Sequence, residues 1–150
     1  MTVDQAPAPA SAWWPRIAGA LLALAVAAVH VVDQGGFPGS KAPAYVGIGY
    51  YIVEVAAIVT AGLLIAGAVR IGWALAMAVA AGPVVGYVLS RGPGLPGYTD
   101  DIGNWTEPLG LASLAAEGLL FFLALTMLGR ALAAERRAAT GRVPTRAPHP

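Results

Sequence analysis

The sequence has no cysteine and few charges. Its 150 residues include eight Asp or Glu, nine Lys or Arg and two His. Without cysteine, disulfides, thiolate metal sites, iron–sulfur clusters and CxxC redox chemistry are all excluded. Charged residues make up 11% of the chain, against roughly 25% in an ordinary soluble domain. That is too little charge to coat a water-soluble globule. The net charge is +1, and no basic patch interleaved with aromatics occurs outside the C-terminal tail, so nothing points to a nucleic-acid partner. One Lys against eight Arg, beside abundant Ala, Gly and Pro, is the composition expected of a GC-rich genome.

What the chain has instead is long apolar blocks. Hydrophobic residues account for 57% of it, in runs of about the 20 residues that cross a bilayer as a helix. Four spans are expected, at about 15–32, 45–69, 71–90 and 109–129. Together residues 13–129 make one all-α membrane bundle, a single domain with a lipid bilayer as its first partner. Residues 1–12 are Pro- and Ala-rich without periodicity and read as a disordered tail. Residues 130–150 begin as a basic extension of the fourth helix and end in a Pro-rich tail. Trp13 and Trp14 stand just before the first span, where interfacial aromatics belong. A cleaved signal peptide is the weaker alternative there, because Arg16 is the only basic residue before the apolar core and no small-x-small site follows it.

Orientation follows from the basic flanks. Arg16, Arg70, Arg130, Arg136, Arg137, Arg142 and Arg146 fall on one side of the four spans, and Lys41 and Arg91 on the other. Both termini are therefore expected in the cytoplasm and both long loops, 33–43 and 91–108, outside the plasma membrane.

Two acids interrupt the apolar runs. Glu54 lies within YYIVEVAAIVTAG and Glu117 within the fourth span. At about 1.5 Å per residue each sits roughly 12–13 Å below the outer edge. Their helix faces mix small and polar residues with larger apolar ones, Gly47, Tyr50, Tyr51, Ala57, Ile58 and Ala61 around the first, Gly110, Ser113, Leu114, Leu120, Phe121 and Ala124 around the second. That is the pattern of a bundle interior. A carboxyl at this depth costs about 2.5–3.5 kcal/mol on insertion scales, so each needs a partner, a proton or both. Candidate partners line the way out: His30, Asp33, Tyr50, Tyr87, Arg91 and Ser113. With Glu54 and Glu117 as its two walls, these residues define a candidate ligand or proton site opening outward. The alternative is that each Glu is satisfied across helices and only fixes register.

Other motifs carry less. RGPGLPG is formally GxGxxG, but it follows a membrane helix, and Pro93 and Pro96 remove donors a phosphate needs. Gly82-Pro-Val-Val-Gly86 is a literal GxxxG, read as a helix-packing seam kinked at Pro83. In the second loop Asp100, Asp101, Asn104, Trp105 and Glu107 are candidates for contact with a cation or a partner, with Thr106 as the expected N-cap of the fourth helix. One imidazole inside a span excludes bis-His haem. His30, Glu54 and Glu117 form a donor set suited to iron, manganese or zinc, without the HxxxH or ExxH pairing such sites use. No cofactor or metal is assigned.

The pieces GLPG, DDIGNW, EPLG and SLxxEG within residues 82–118, with VHVVDQGG and YYIVE, resemble a pattern in uncharacterised small four-span membrane proteins of actinobacteria. The resemblance implies the architecture and supplies no activity. The function expected is therefore a non-enzymatic multi-pass membrane protein with an outward-facing polar site for a proton, a cation or a small molecule, with a link to transport. An accessory subunit whose outer loop docks a partner is the alternative, and an enzyme acting on a lipid-like substrate the third. A homo-oligomer or a membrane-complex partner is compatible with each.

Overall fold

The structure, a computed structural model, describes residues 12–140. The expected tails fall largely outside it, Arg142, Arg146 and His149 among them. Four helices follow one another: α1 (Trp13–Asp33), α2 (Ala44–Ala66), α3 (Val69–Arg91) and α4 (Pro108–Thr140). Each is long and apolar enough to cross a membrane. The protein is an all-α, four-span integral membrane bundle.

The helices run up and down. The 34–43 and 92–107 connections lie at one end, here the loop end. The start of α1, the α2–α3 turn and the last turns of α4 lie at the other. Neighbouring pairs are α1 with α2, α3 with α4, α1 with α4 and α2 with α3. Across the diagonals only α1 and α3 meet. Among the described residues no Cα of α2 comes within 8 Å of one of α4.

The surface is greasy and the interior small, the reverse of a soluble protein. Ile48, Ile52, Val55 and Ile58 of α2 and Leu119 and Phe122 of α4 face outward. The buried set is dominated by alanine: Ala20, Ala23, Ala57, Ala61, Ala76, Ala80 and Ala124. Lipid supplies no hydrophobic force between helices, so close backbone approach through small residues carries the association. One close contact is on the diagonal. A Cβ on Gly19 would lie 2.6 Å from Cζ3 of Trp73, the largest fully buried side chain.

The turn between α2 and α3 differs from the expected boundary. Helix α2 stops at Ala66 because Gly67 takes φ +85°. Gly67 N–H then donates to Leu64 O and Ala68 N–H to Leu63 O, the Schellman pattern. Arg16 completes the cap from α1, with Nε donating to Leu64 O at 2.7 Å and Nη2 to Ile65 O. Helix α4 starts with Pro108 in its first turn, but Glu107, not Thr106, caps it: its carboxylate accepts from Leu109 N–H at 2.9 Å and Gly110 N–H at 2.6 Å. At the far end α4 continues through Arg130, Arg136 and Arg137 to Thr140, and Glu135 there pairs with Arg70 at 3.7 Å.

Candidate functional site

The loop halves of all four helices surround a cavity of about 290 Å³, roofed by the second connection. His30 and Asp33 reach it from α1, Tyr45 and Tyr50 from α2, Tyr87, Ser90 and Arg91 from α3, and Ser113 and Glu117 from α4. Tyr98, Asp101 and Glu107 close it from the roof. Of the residues expected at a site, His30, Asp33, Tyr50, Tyr87, Arg91, Ser113 and Glu117 thus share one space.

Glu54 does not belong to it. The diagonal pair α1 and α3 comes between α2 and α4, so equal depth does not become contact between the two acids. Glu54, 4% exposed, lies instead between α2 and α1, where Gln34 Nε2 donates to its Oε1 at 2.7 Å. Gln34 is buried as well, and its own oxygen, Oε1, has no hydrogen-bond partner among the described residues. Sequence reasoning passed over Gln34 as a loop residue. The available signal was its position four residues after His30, on the same helical face.

Glu117 is 1% exposed and stands at the floor of the cavity. Ser113, one turn earlier on the same helix, donates to its Oε1 at 2.6 Å. None of the ion pairs among the described residues involves Glu117. His30 keeps its Nδ1 2.9 Å from Val26 O. A carbonyl only accepts, so Nδ1 carries a proton and donates to it. The His30 ring lies 5.1 Å from that of Tyr50, whose hydroxyl donates to Asp33. Lys41 pairs with the same carboxylate at 3.1 Å.

Arg91 organises the roof. Its Nε donates to Asn104 O at 3.0 Å and its Nη1 to Ser90 Oγ at 3.0 Å. Asp101 lies 3.6 Å and Glu107 3.7 Å from the guanidinium, which stacks 3.9 Å from the Tyr87 ring centroid. Two more hydroxyls strap the loop down, Tyr45 to Pro96 O at 2.8 Å and Tyr87 to Trp105 O at 2.7 Å. GLPG is a tight turn closed by reciprocal Leu95–Tyr98 bonds, with Pro96 and Gly97 (φ +68°) at its centre, as a type II turn requires. Burial pushes the Tyr98 hydroxyl well above the ordinary tyrosine range, and its hydrogen bond to Asp101 adds to the shift. Asp100 and Asp101 do not act as a pair: Asp101 turns in to Arg91 and Tyr98, and Asp100 is exposed. Asn104 and Trp105 contribute backbone carbonyls to the roof and leave their side chains exposed.

The GxxxG of α3 is not a packing seam. Gly82 and Gly86 line the cavity, as does Gly49 of α2, and a Cβ on any of the three would meet nothing within 4 Å. Close packing falls to Gly19, Gly72 and Gly110 instead. Among the described residues no group of three or more His, Asp or Glu comes together to hold a metal, so the His30, Glu54 and Glu117 donor set is not assembled. No family model, no curated protein and no solved structure matches the chain, so no family or homologue is identified.

Proposed function

We propose that this is a non-enzymatic plasma-membrane protein of actinobacterial type whose loop-end cavity binds a proton, a cation or a small polar molecule, with Glu117 as its principal group. The observation that carries the reading is a carboxyl inside a span, buried at the floor of a cavity, whose hydrogen-bond donor comes from its own helix. A carboxyl kept only for helix register would be bonded across helices, as Glu54 is to Gln34. An ionisable group inside a span that faces a cavity is by default a candidate ligand or ion site.

The loop end, with the cavity beneath its roof, faces outward and the termini are cytoplasmic. The end opposite the loops carries Arg16, Arg70, Arg130, Arg136 and Arg137, whereas Lys41 and Arg91 at the loop end are both held in ion pairs. A transport role would engage a second copy, which would supply the paired repeats of transporter folds. The absence of native cysteine makes the topology directly testable: a single Thr99→Cys should react with an impermeant maleimide added to intact cells.

The test of the site is native mass spectrometry with elemental analysis on detergent-purified wild type beside Glu117→Gln and Glu54→Gln. The expected result is a stoichiometric adduct lost in Glu117→Gln and kept in Glu54→Gln. Loss in both, or an adduct indifferent to Glu117, defeats the reading.

A further inference from the structure

Charge around the cavity is matched with one exception. Asp33 has Lys41 and the Tyr50 hydroxyl. Asp101 and Glu107 share Arg91, and Glu107 also caps the N-terminus of α4, where the helix dipole adds partial positive charge. Among the described residues Glu117 has a serine and no cation. An anionic ligand would meet four carboxylates and a single arginine already shared between two of them.

The walls have a preference too. Tyr45, Tyr50, Tyr87 and Tyr98 all line the cavity. Aromatic faces attract cations, and two of these rings already hold one: Arg91 Cζ lies 3.9 Å from the Tyr87 centroid and Lys41 Nζ 5.4 Å from that of Tyr50. A metal ion is a poor fit, since no triad of ligating side chains is assembled among the described residues and a hard cation such as calcium wants six or more oxygens. The space is modest. At about 290 Å³ it stands at the lower edge of small-molecule sites, roughly 300–1,000 Å³. It exists because Gly49, Gly82 and Gly86 project nothing into it.

Resting on the proposed reading of the cavity as a binding site, we propose that its ligand is a small organic monocation, an ammonium-headed molecule seated against the Glu117 carboxylate and flanked by tyrosine rings. Ammonium recognition needs one uncompensated carboxylate and aromatic faces, and the cavity supplies both.

The experiment compares two molecules of the same shape that differ in charge, choline and 3,3-dimethylbutan-1-ol, as ligands of the full chain in lipid nanodiscs. The readout is the rise in unfolding temperature with concentration, against matched sodium chloride. Choline should raise it saturably, with half-saturation about tenfold or more below that of the alcohol, the worth of one desolvated cation–π contact. Glu117→Gln should lose the choline response. Gly86→Leu, whose Cβ meets nothing within 4 Å and whose side chain would occupy the cavity, should lose it as well. Gly62→Leu, at an equally open glycine outside the cavity lining, should keep it. If the alcohol binds as well as choline, and both are lost in Gly86→Leu, the cavity is a site and the ammonium class is wrong. A choline response lost in Gly86→Leu but kept in Glu117→Gln removes Glu117 from the site. If neither molecule binds, or if the response survives Gly86→Leu, the binding reading fails along with the ligand class. Should Glu117→Gln not fold, the Gly86→Leu and alcohol arms still decide the outcome.

Discussion

Replacing Arg91 with Leu should loosen the roof of the cavity while leaving the bundle intact. The Arg91 side chain is 11% exposed, and those of Asp101 and Glu107 are 27% and 32% exposed. Its ion pairs therefore sit between two regimes. A surface pair is worth about 0.2–1 kcal/mol, and breaking a fully buried one costs about 3–5 kcal/mol. The bond from the guanidinium to Asn104 O adds about 1.5–3 kcal/mol as a charged hydrogen bond. Discounted for the exposure of the two acids, the loss comes to about 2–4 kcal/mol for local opening of residues 92–107. At tenfold per 1.4 kcal/mol, that is roughly 30- to 1,000-fold faster amide exchange. The assay is hydrogen exchange by mass spectrometry on the full chain. Peptides covering Leu95, Tyr98, Ile102 and Asn104, whose N–H groups bond within the loop, should speed up, and α1 peptides should not. Arg91→Lys should fall between, because it keeps the charge and loses the fork. Unchanged loop exchange in Arg91→Leu would refute the argument that this side chain holds the roof.

Three further outcomes are expected. Gly19→Ala should cost about 1–3 kcal/mol in a denaturant titration in mixed micelles, as overpacking against the rigid Trp73 ring, whereas Gly82→Ala should be neutral or stabilising by up to about 1 kcal/mol; equal effects would contradict the packing described. Glu54→Leu should cost about 1–3 kcal/mol by stranding the Gln34 amide, and adding Gln34→Leu should restore much of it, so additive losses in the double-mutant cycle would count against the pair. The Tyr98 hydroxyl is held above its ordinary range in the folded protein, so its contribution to stability is complete below about pH 10, where an unfolded tyrosine ionises, and is lost as pH rises from there toward the folded value; Tyr98→Phe should flatten that alkaline decline, and an unaltered slope would refute it.

The four helices were legible because a bilayer imposes length and apolarity on anything that crosses it. Their order around the bundle was not. Spacing placed Glu54 and Glu117 at one depth, and depth is a property of each helix alone. Whether the acids meet depends on which diagonal closes. That is decided by Gly19 and Trp73, which draw α1 and α3 together and hold α2 and α4 apart. The end of α2 was misread for a related reason: Gly67, Ala68 and Val69 are as apolar as the helix before them, and only the positive φ of Gly67 breaks it. The GxxxG of α3 fixes a distance between two glycines and says nothing of what stands opposite. Here that is open space.

Small residues give opposite results at the two ends of the molecule, and the polar groups are the reason. Away from the loops, Gly19 and Gly72 are filled by Trp73 and Leu64, and the helices close on one another. At the loop end Gly49, Gly82 and Gly86 are just as small, yet nothing fills them. Helices able to pack this closely would be expected to do so along their whole length. Closing the seam, however, would press α2 and α3 over Glu117, Ser113 and His30 and bring the aliphatic side chains of Val46 and Val53 against a carboxyl bonded only by its own helix. The polar groups of the four helices thus gather where the bundle stays open, and that open stretch ends where the carboxyl stands, at Glu117.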